Sequence, residues 1–142
     1  MVKKIIAILT LAVMTLTFAA CSISDSESDA PKEPANLIGE WKQSGGSSSN
    51  YQVATITDST ITIYWYSKDD ESKSLYWAGS YTAPTTADEP YTWTSQNDTA
   101  QTSNALLASS DPTKTFTYEN GVIKYEASAL GTTTTIKLER VK

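Results

Sequence analysis

Apolar and polar residues alternate along most of the chain beyond Leu37. Between Thr60 and Tyr66, Ile61, Ile63 and Trp65 take one side while Thr62, Tyr64 and Tyr66 take the other. Between Lys114 and Tyr118, Phe116 and Tyr118 alternate with Thr115 and Thr117. A period of two puts successive side chains on opposite faces of a β-strand, and a segment rich in Thr, Tyr, Trp and Ile suits that geometry. No helical period stands out. The pattern predicts about eight strands, at residues 39–43, 51–57, 60–67, 74–81, 91–95, 114–119, 122–128 and 132–140, with a short ninth at 105–108 as an option.

Turn residues fix the registers. Asn120-Gly121 is a type I′ hairpin signal; it pairs Tyr118 with Ile123 and Phe116 with Tyr125, which puts four large side chains on one face. Asp58-Ser59 pairs Ile56 with Ile61 and Ala54 with Ile63. A reversal over residues 68–72 pairs Trp65 with Leu75 and Ile63 with Trp77. The last two hairpins agree on which face of the shared strand is apolar, and agreement between independent turns strengthens both. Consecutive hairpins favour an all-β fold, a small antiparallel meander closed into a barrel, which removes exposed strand edges; a β-sandwich is the alternative.

The N-terminal segment reads differently. Lys3 and Lys4 precede an apolar run over residues 5–18, shorter than the ~20 residues that span hydrocarbon, so it is expected to be a signal segment rather than an anchor. It ends Phe18-Ala19-Ala20-Cys21, and Cys21 is the only cysteine of the 142 residues. Small residues before a lone cysteine resemble a bacterial lipobox. That resemblance implies cleavage after Ala20, acylation of Cys21 and attachment to the extracytoplasmic face of the cell membrane. Phe18 stands where that family usually has an aliphatic residue. Two acyl chains would hold the protein on a membrane stably. The expected organisation is a signal peptide over residues 1–20, a lipidated cysteine with a polar, acidic, disordered tether over residues 21–36, and the β domain over residues 37–142.

Charge and composition remove whole classes of chemistry. There are 11 basic and 16 acidic residues, a net charge of −5 that becomes −7 once Lys3 and Lys4 are cleaved away. This is no footprint for nucleic acid. The chain has no histidine, which excludes Ser-His-Asp and Cys-His catalysis and most zinc sites. The acidic loops at Asp69, Asp70 and Glu71 and at Asp88 and Glu89 lack the converging oxygens of a hard-cation site. Neither provides a carboxylate pair across a cleft. The expectation is a binding protein, with no enzyme activity, metal or cofactor.

Two sets of aromatic residues are candidates for binding. Trp65 and Trp77 face inward with the isoleucines, as barrel core or as the lining of a pocket for a small apolar ligand. On the outer face Tyr51 is expected to pair with Tyr66 and Tyr64 with Tyr76, a patch suited to a protein, phage component or wall glycan. The polar segment over residues 94–112 is long enough to serve as a lid, with Leu106 and Leu107 as its anchors.

Gly39-Glu40-Trp41 at the start of the domain and Arg140 on the last strand resemble the lipocalin and calycin families. That resemblance implies a small ligand-binding barrel in which Trp41 closes the base and Arg140 lies across its ring. The domain is shorter than a typical lipocalin and shows no C-terminal helix.

Overall fold

Eight strands form, in the order the alternation predicts: β1 (Gly39–Gln43), β2 (Asn50–Ile56), β3 (Thr60–Ser67), β4 (Ser72–Ser80), β5 (Tyr91–Gln96), β6 (Thr113–Glu119), β7 (Val122–Ala129) and β8 (Thr132–Arg140). The computed structural model describes Pro31–Lys142, a compact unit by itself. The expected signal segment, Cys21 and the first part of the expected tether lie outside the described residues. Among those described, no helix is long and apolar enough to cross a membrane.

All strands belong to one antiparallel sheet in the order β4-β3-β2-β1-β8-β7-β6-β5. Every neighbour in the sheet is a neighbour in sequence except β1 and β8, whose pairing brings the two ends of the meander together. The result is a nearly closed barrel and not a sandwich. Its interior is filled by Trp41, Ile56, Ile61, Ile63, Trp77, Phe116, Ile123 and Leu138, all fully buried.

The hairpins at Asn120-Gly121 and Asp58-Ser59 take the expected registers, with Tyr118 opposite Ile123, Phe116 opposite Tyr125, Ile56 opposite Ile61 and Ala54 opposite Ile63. The β3–β4 hairpin departs from expectation. Its turn holds four residues, since Ser67 pairs with Ser72, and Trp65 lies opposite Ser74 rather than Leu75. A bulge between Ile63 and Tyr64 then restores the Ile63–Trp77 pair. A bulge places two residues of one strand opposite one of the other, and here Tyr76 is the extra residue. It turns inward beside Trp77, and both are buried.

The barrel closes incompletely between β4 and β5, where the sheet is joined by a single bridge, Gly79 with Asn97. Side chains and a loop complete the seam. The Trp77 indole N–H donates to the buried Ser95 hydroxyl at 3.0 Å, and the Gln96 N–H donates to the Ser80 hydroxyl at 2.9 Å. The β5–β6 connection supplies Asp98 N–H to Ala78 O at 2.8 Å and Ser109 N–H to Tyr76 O at 2.8 Å. Backbone groups along an unpaired edge need such partners.

That connection contains a short helix, α1 (Thr99–Thr102), capped by the Asp98 carboxylate. Residues 105–108 form no ninth strand. Asn97 holds the loop together. Its amide donates to Asp111 O at 2.8 Å and to Ser109 O at 3.3 Å, and its carbonyl accepts from the Thr102 hydroxyl at 2.5 Å.

Candidate functional site

The two ends of the barrel differ in kind. At one end a strap over residues 36–38 crosses the base. The Arg140 guanidinium lies 4.6 Å from the Trp41 ring centre. It donates to Ile38 O at 2.7 Å and also to Asn36 O. The Trp41 indole N–H donates to Leu37 O at 2.9 Å. Trp41 and Arg140 are direct cross-strand partners in β1 and β8. Gly39 makes room for them: its φ is +134°, and a Cβ there would stand 2.8 Å from Arg140 Nη1.

Each residue of the Gly39-x-Trp41…Arg140 set thus has a physical role in closing this end. Arg140→Ala should lower stability by about 1–2 kcal/mol, discounted for its exposure. A denaturant midpoint shifted at unchanged slope would report it.

The other end opens into a cleft of about 420 Å³ lined by Trp65, Tyr76, Leu106, Leu107, Ser128 and Leu130, among others. Three leucines of this rim stand in solvent: Leu106 is 98% exposed, Leu130 fully exposed and Leu107 about half. Leu106 and Leu107 therefore do not anchor the loop, a task that falls to Asn97.

Leu130 has a second oddity. It and Gly131 form a two-residue turn between Ala129 and Thr132, with φ of +52° and +77°. The turn at Asn120-Gly121, at the far end of β7, has nearly the same angles, +51° and +82°. Asparagine tolerates the left-handed region; leucine does so at a cost of about 1–2 kcal/mol.

Behind the cleft, polar groups are set into the apolar interior. Gln52 pairs across the strands with Trp65 and is completely buried, and both its side-chain amide atoms lack hydrogen-bond partners. The hydroxyls of Tyr76 and Tyr125 are likewise buried and unpartnered. The Tyr76 ring lies 5.7 Å from Trp65 and 6.4 Å from Tyr125.

Lys114 is also buried here. Its ammonium donates to Asp111 Oδ2 at 3.0 Å and to Glu126 O at 3.2 Å, and stands 5.4 Å from the Tyr76 ring centre. Burial raises the Tyr125 hydroxyl well above its ordinary pKa. Nearer the seam, desolvation pushes Tyr81 up to about 12. Hydrogen bonds from Lys114 and Ser109 hold the Asp111 carboxyl below its usual range.

Asp111 titrates lower in the folded chain than in the unfolded one. The stability it contributes is complete above about pH 4 and is lost as the pH falls through the lowered value. Between about pH 4 and pH 2 the melting temperature of Asp111→Asn should therefore fall less steeply than that of the parent.

Comparison of the chain with protein-family models, curated proteins and solved structures finds no match.

Of the sequence-predicted residues, the structure brings Trp41 and Arg140 together at the base and sets Trp65 at the open end. It places Trp77 deep in the wall, with its indole N–H satisfied. Outside, Tyr51 pairs with Tyr66, ring centres 5.1 Å apart, and Lys42 sits 4.2 Å over Tyr51. Tyr64 faces Leu75, because the bulge has carried Tyr76 indoors.

The acidic loops serve as turns: Asp70 accepts from Ser72, and Glu89 accepts from the Asn120 N–H at 2.6 Å. Among the described residues no group of three or more acidic, histidine or cysteine side chains could hold a metal. Gln52 and Lys114 went unnoticed in the sequence. Their signal was parity: Gln52 is in step with Ala54 and Ile56, and Lys114 with Phe116 and Tyr118.

Proposed function

We propose that this chain is a bacterial surface lipoprotein, anchored through acylated Cys21, whose lipocalin-like barrel binds a small apolar ligand at its open end without catalysis. The observation that carries the binding reading is Leu130. A strained backbone and a fully solvated leucine are two separate costs at one position, and they coincide on the rim of an aromatic cleft. Strain of this kind is retained where it serves a site. The base, held shut by the Arg140 latch, leaves the leucine end as the entrance.

Leu130→Asn separates the two costs from the use. The variant should gain about 1 kcal/mol of stability, because asparagine accepts this backbone, and should lose ligand. The experiment is native against denaturing mass spectrometry on residues 22–142, purified from the host without detergent. Extra mass that vanishes on denaturation in the parent, and is reduced in Leu130→Asn, is the expected result. Bare mass in both proteins, together with no saturable response to any added amphiphile, would sink the binding reading. Anchoring is tested apart from this: labelled palmitate should enter the parent chain and not Cys21→Ser.

A second reading draws on the Tyr51–Tyr66 pair, tilted against each other beneath Lys42, with Tyr64 beside it: an outer face for a protein, phage component or wall glycan. Tyr64→Ala with Tyr66→Ala should then abolish partner capture while the melting transition stays cooperative.

A further inference from the structure

We infer that the ligand of the open end is a neutral amphiphile, a hydrocarbon body with an uncharged head that both donates and accepts hydrogen bonds. The inference rests on the reading that this end of the barrel binds a ligand, and it adds the chemistry of the head.

Two environments follow one another from the rim inward. The rim offers Leu106, Leu107 and Leu130, apolar and solvated, and such side chains gain from covering a hydrocarbon chain. Behind them stand Gln52, Tyr76 and Tyr125, with four buried polar atoms that have no partner: both amide atoms of Gln52 and the two phenolic oxygens. Buried polar groups are nearly always hydrogen-bonded, and each exception asks for an explanation. Tyr76 joins the two environments, since it lines the cleft and its hydroxyl is one of the orphans. Linked through Trp65, the strand partner of Gln52 and ring neighbour of Tyr76, and through the Tyr76–Tyr125 ring contact, these groups offer donors and acceptors behind the cleft, which suits a hydroxyl, ester or amide head.

The head is neutral because the cation here is already engaged. Lys114, the buried ammonium beside Tyr76, is bound by the Asp111 carboxylate and the Glu126 carbonyl. An ionised carboxylate brought into the cluster would have to be desolvated without a free counter-charge or would compete with Asp111 for Lys114. Of the two phenols in the cluster, Tyr125 is kept protonated by burial. A bare hydrocarbon fails for the opposite reason, since it would leave the four orphan atoms unpaired.

Three probes of equal chain length divide the possibilities: monolaurin, laurate at mildly alkaline pH, and dodecane. Each is titrated against residues 22–142 with tryptophan emission as the readout, Trp65 standing in the cleft wall. Monolaurin should bind saturably and at least about tenfold tighter than either of the others, the equivalent of one hydrogen bond. Gln52→Leu should weaken monolaurin by about tenfold and leave dodecane unchanged. Tyr125→Phe removes a single hydroxyl at constant shape and provides the same comparison should Gln52→Leu not fold.

Laurate or dodecane binding as tightly as monolaurin would overturn the inference. So would parent-like monolaurin affinity in both variants, or in Tyr125→Phe alone if Gln52→Leu does not fold. In those cases the apolar site survives and only its head chemistry is lost. Failure of all three probes to bind removes the ligand site itself, a different and recognisable outcome.

Discussion

Replacing Trp77 with alanine should lower the stability of the domain by about 3–5 kcal/mol, the range for deleting a buried aromatic side chain. Trp77 is completely buried opposite Ile63, so the cavity would open in the middle of the core. The loss has a second component, because the Trp77 N–H also bridges the open seam to Ser95. Trp77→Phe separates the two. It keeps most of the packing but strands the Ser95 hydroxyl, which is buried, and should cost about 1–3 kcal/mol. Urea midpoints of parent, Trp77→Phe and Trp77→Ala should fall in that order. Equal midpoints for Trp77→Ala and the parent would mean that this indole does not fill the core as described.

Gly79→Ala tests the seam from its other side. A Cβ on Gly79 would stand 2.3 Å from the Ser95 hydroxyl, 2.5 Å from Gln96 O and 2.7 Å from the Trp77 indole nitrogen. The first and third of these are the two atoms of the seam hydrogen bond, and the second is backbone, so the added methyl has no flexible neighbour to displace. Overpacking of this kind costs about 1–3 kcal/mol, sometimes more. The expected signature is local. Hydrogen exchange should quicken at Asn97, Asp98 and Ser109, whose amides join the seam and the loop over it, while the β6–β7 and β7–β8 ladders remain protected. Uniform quickening across all strands would argue that the seam is not a separable part of the barrel.

Strand number, order and most registers were legible because the chain alternates cleanly and its turns are specific: Asn120-Gly121 admits one hairpin geometry, and the core parity of β3 is fixed from both sides. The base was legible as a constellation, Gly39, Trp41 and Arg140, though the strap that Arg140 grips was not, since its carbonyls leave no trace in side-chain identity.

The β3–β4 register differs from the alternation for a definite reason. A four-residue and a five-residue reversal are equally consistent with Lys68-Asp69-Asp70-Glu71-Ser72, and the choice shifts each subsequent partner by one. A bulge corrects the shift further along, and no residue of β4 announces it. The consequence reached the site itself, because Tyr76 changed faces. The helix α1 was hidden by its brevity: four residues held by one aspartate cap make no periodic signal.

The latch at the base has a mechanical consequence. Any pull on the chain from the N-terminal side of Pro31 reaches Asn36, Leu37 and Ile38 before it reaches β1, and these carbonyls are gripped by Arg140 and Trp41. Arg140 in turn lies on β8, the strand that pairs with both β1 and β7. Load entering from that side is therefore shared between the first and last strands at the point of entry, rather than peeling β1 away one hydrogen bond at a time.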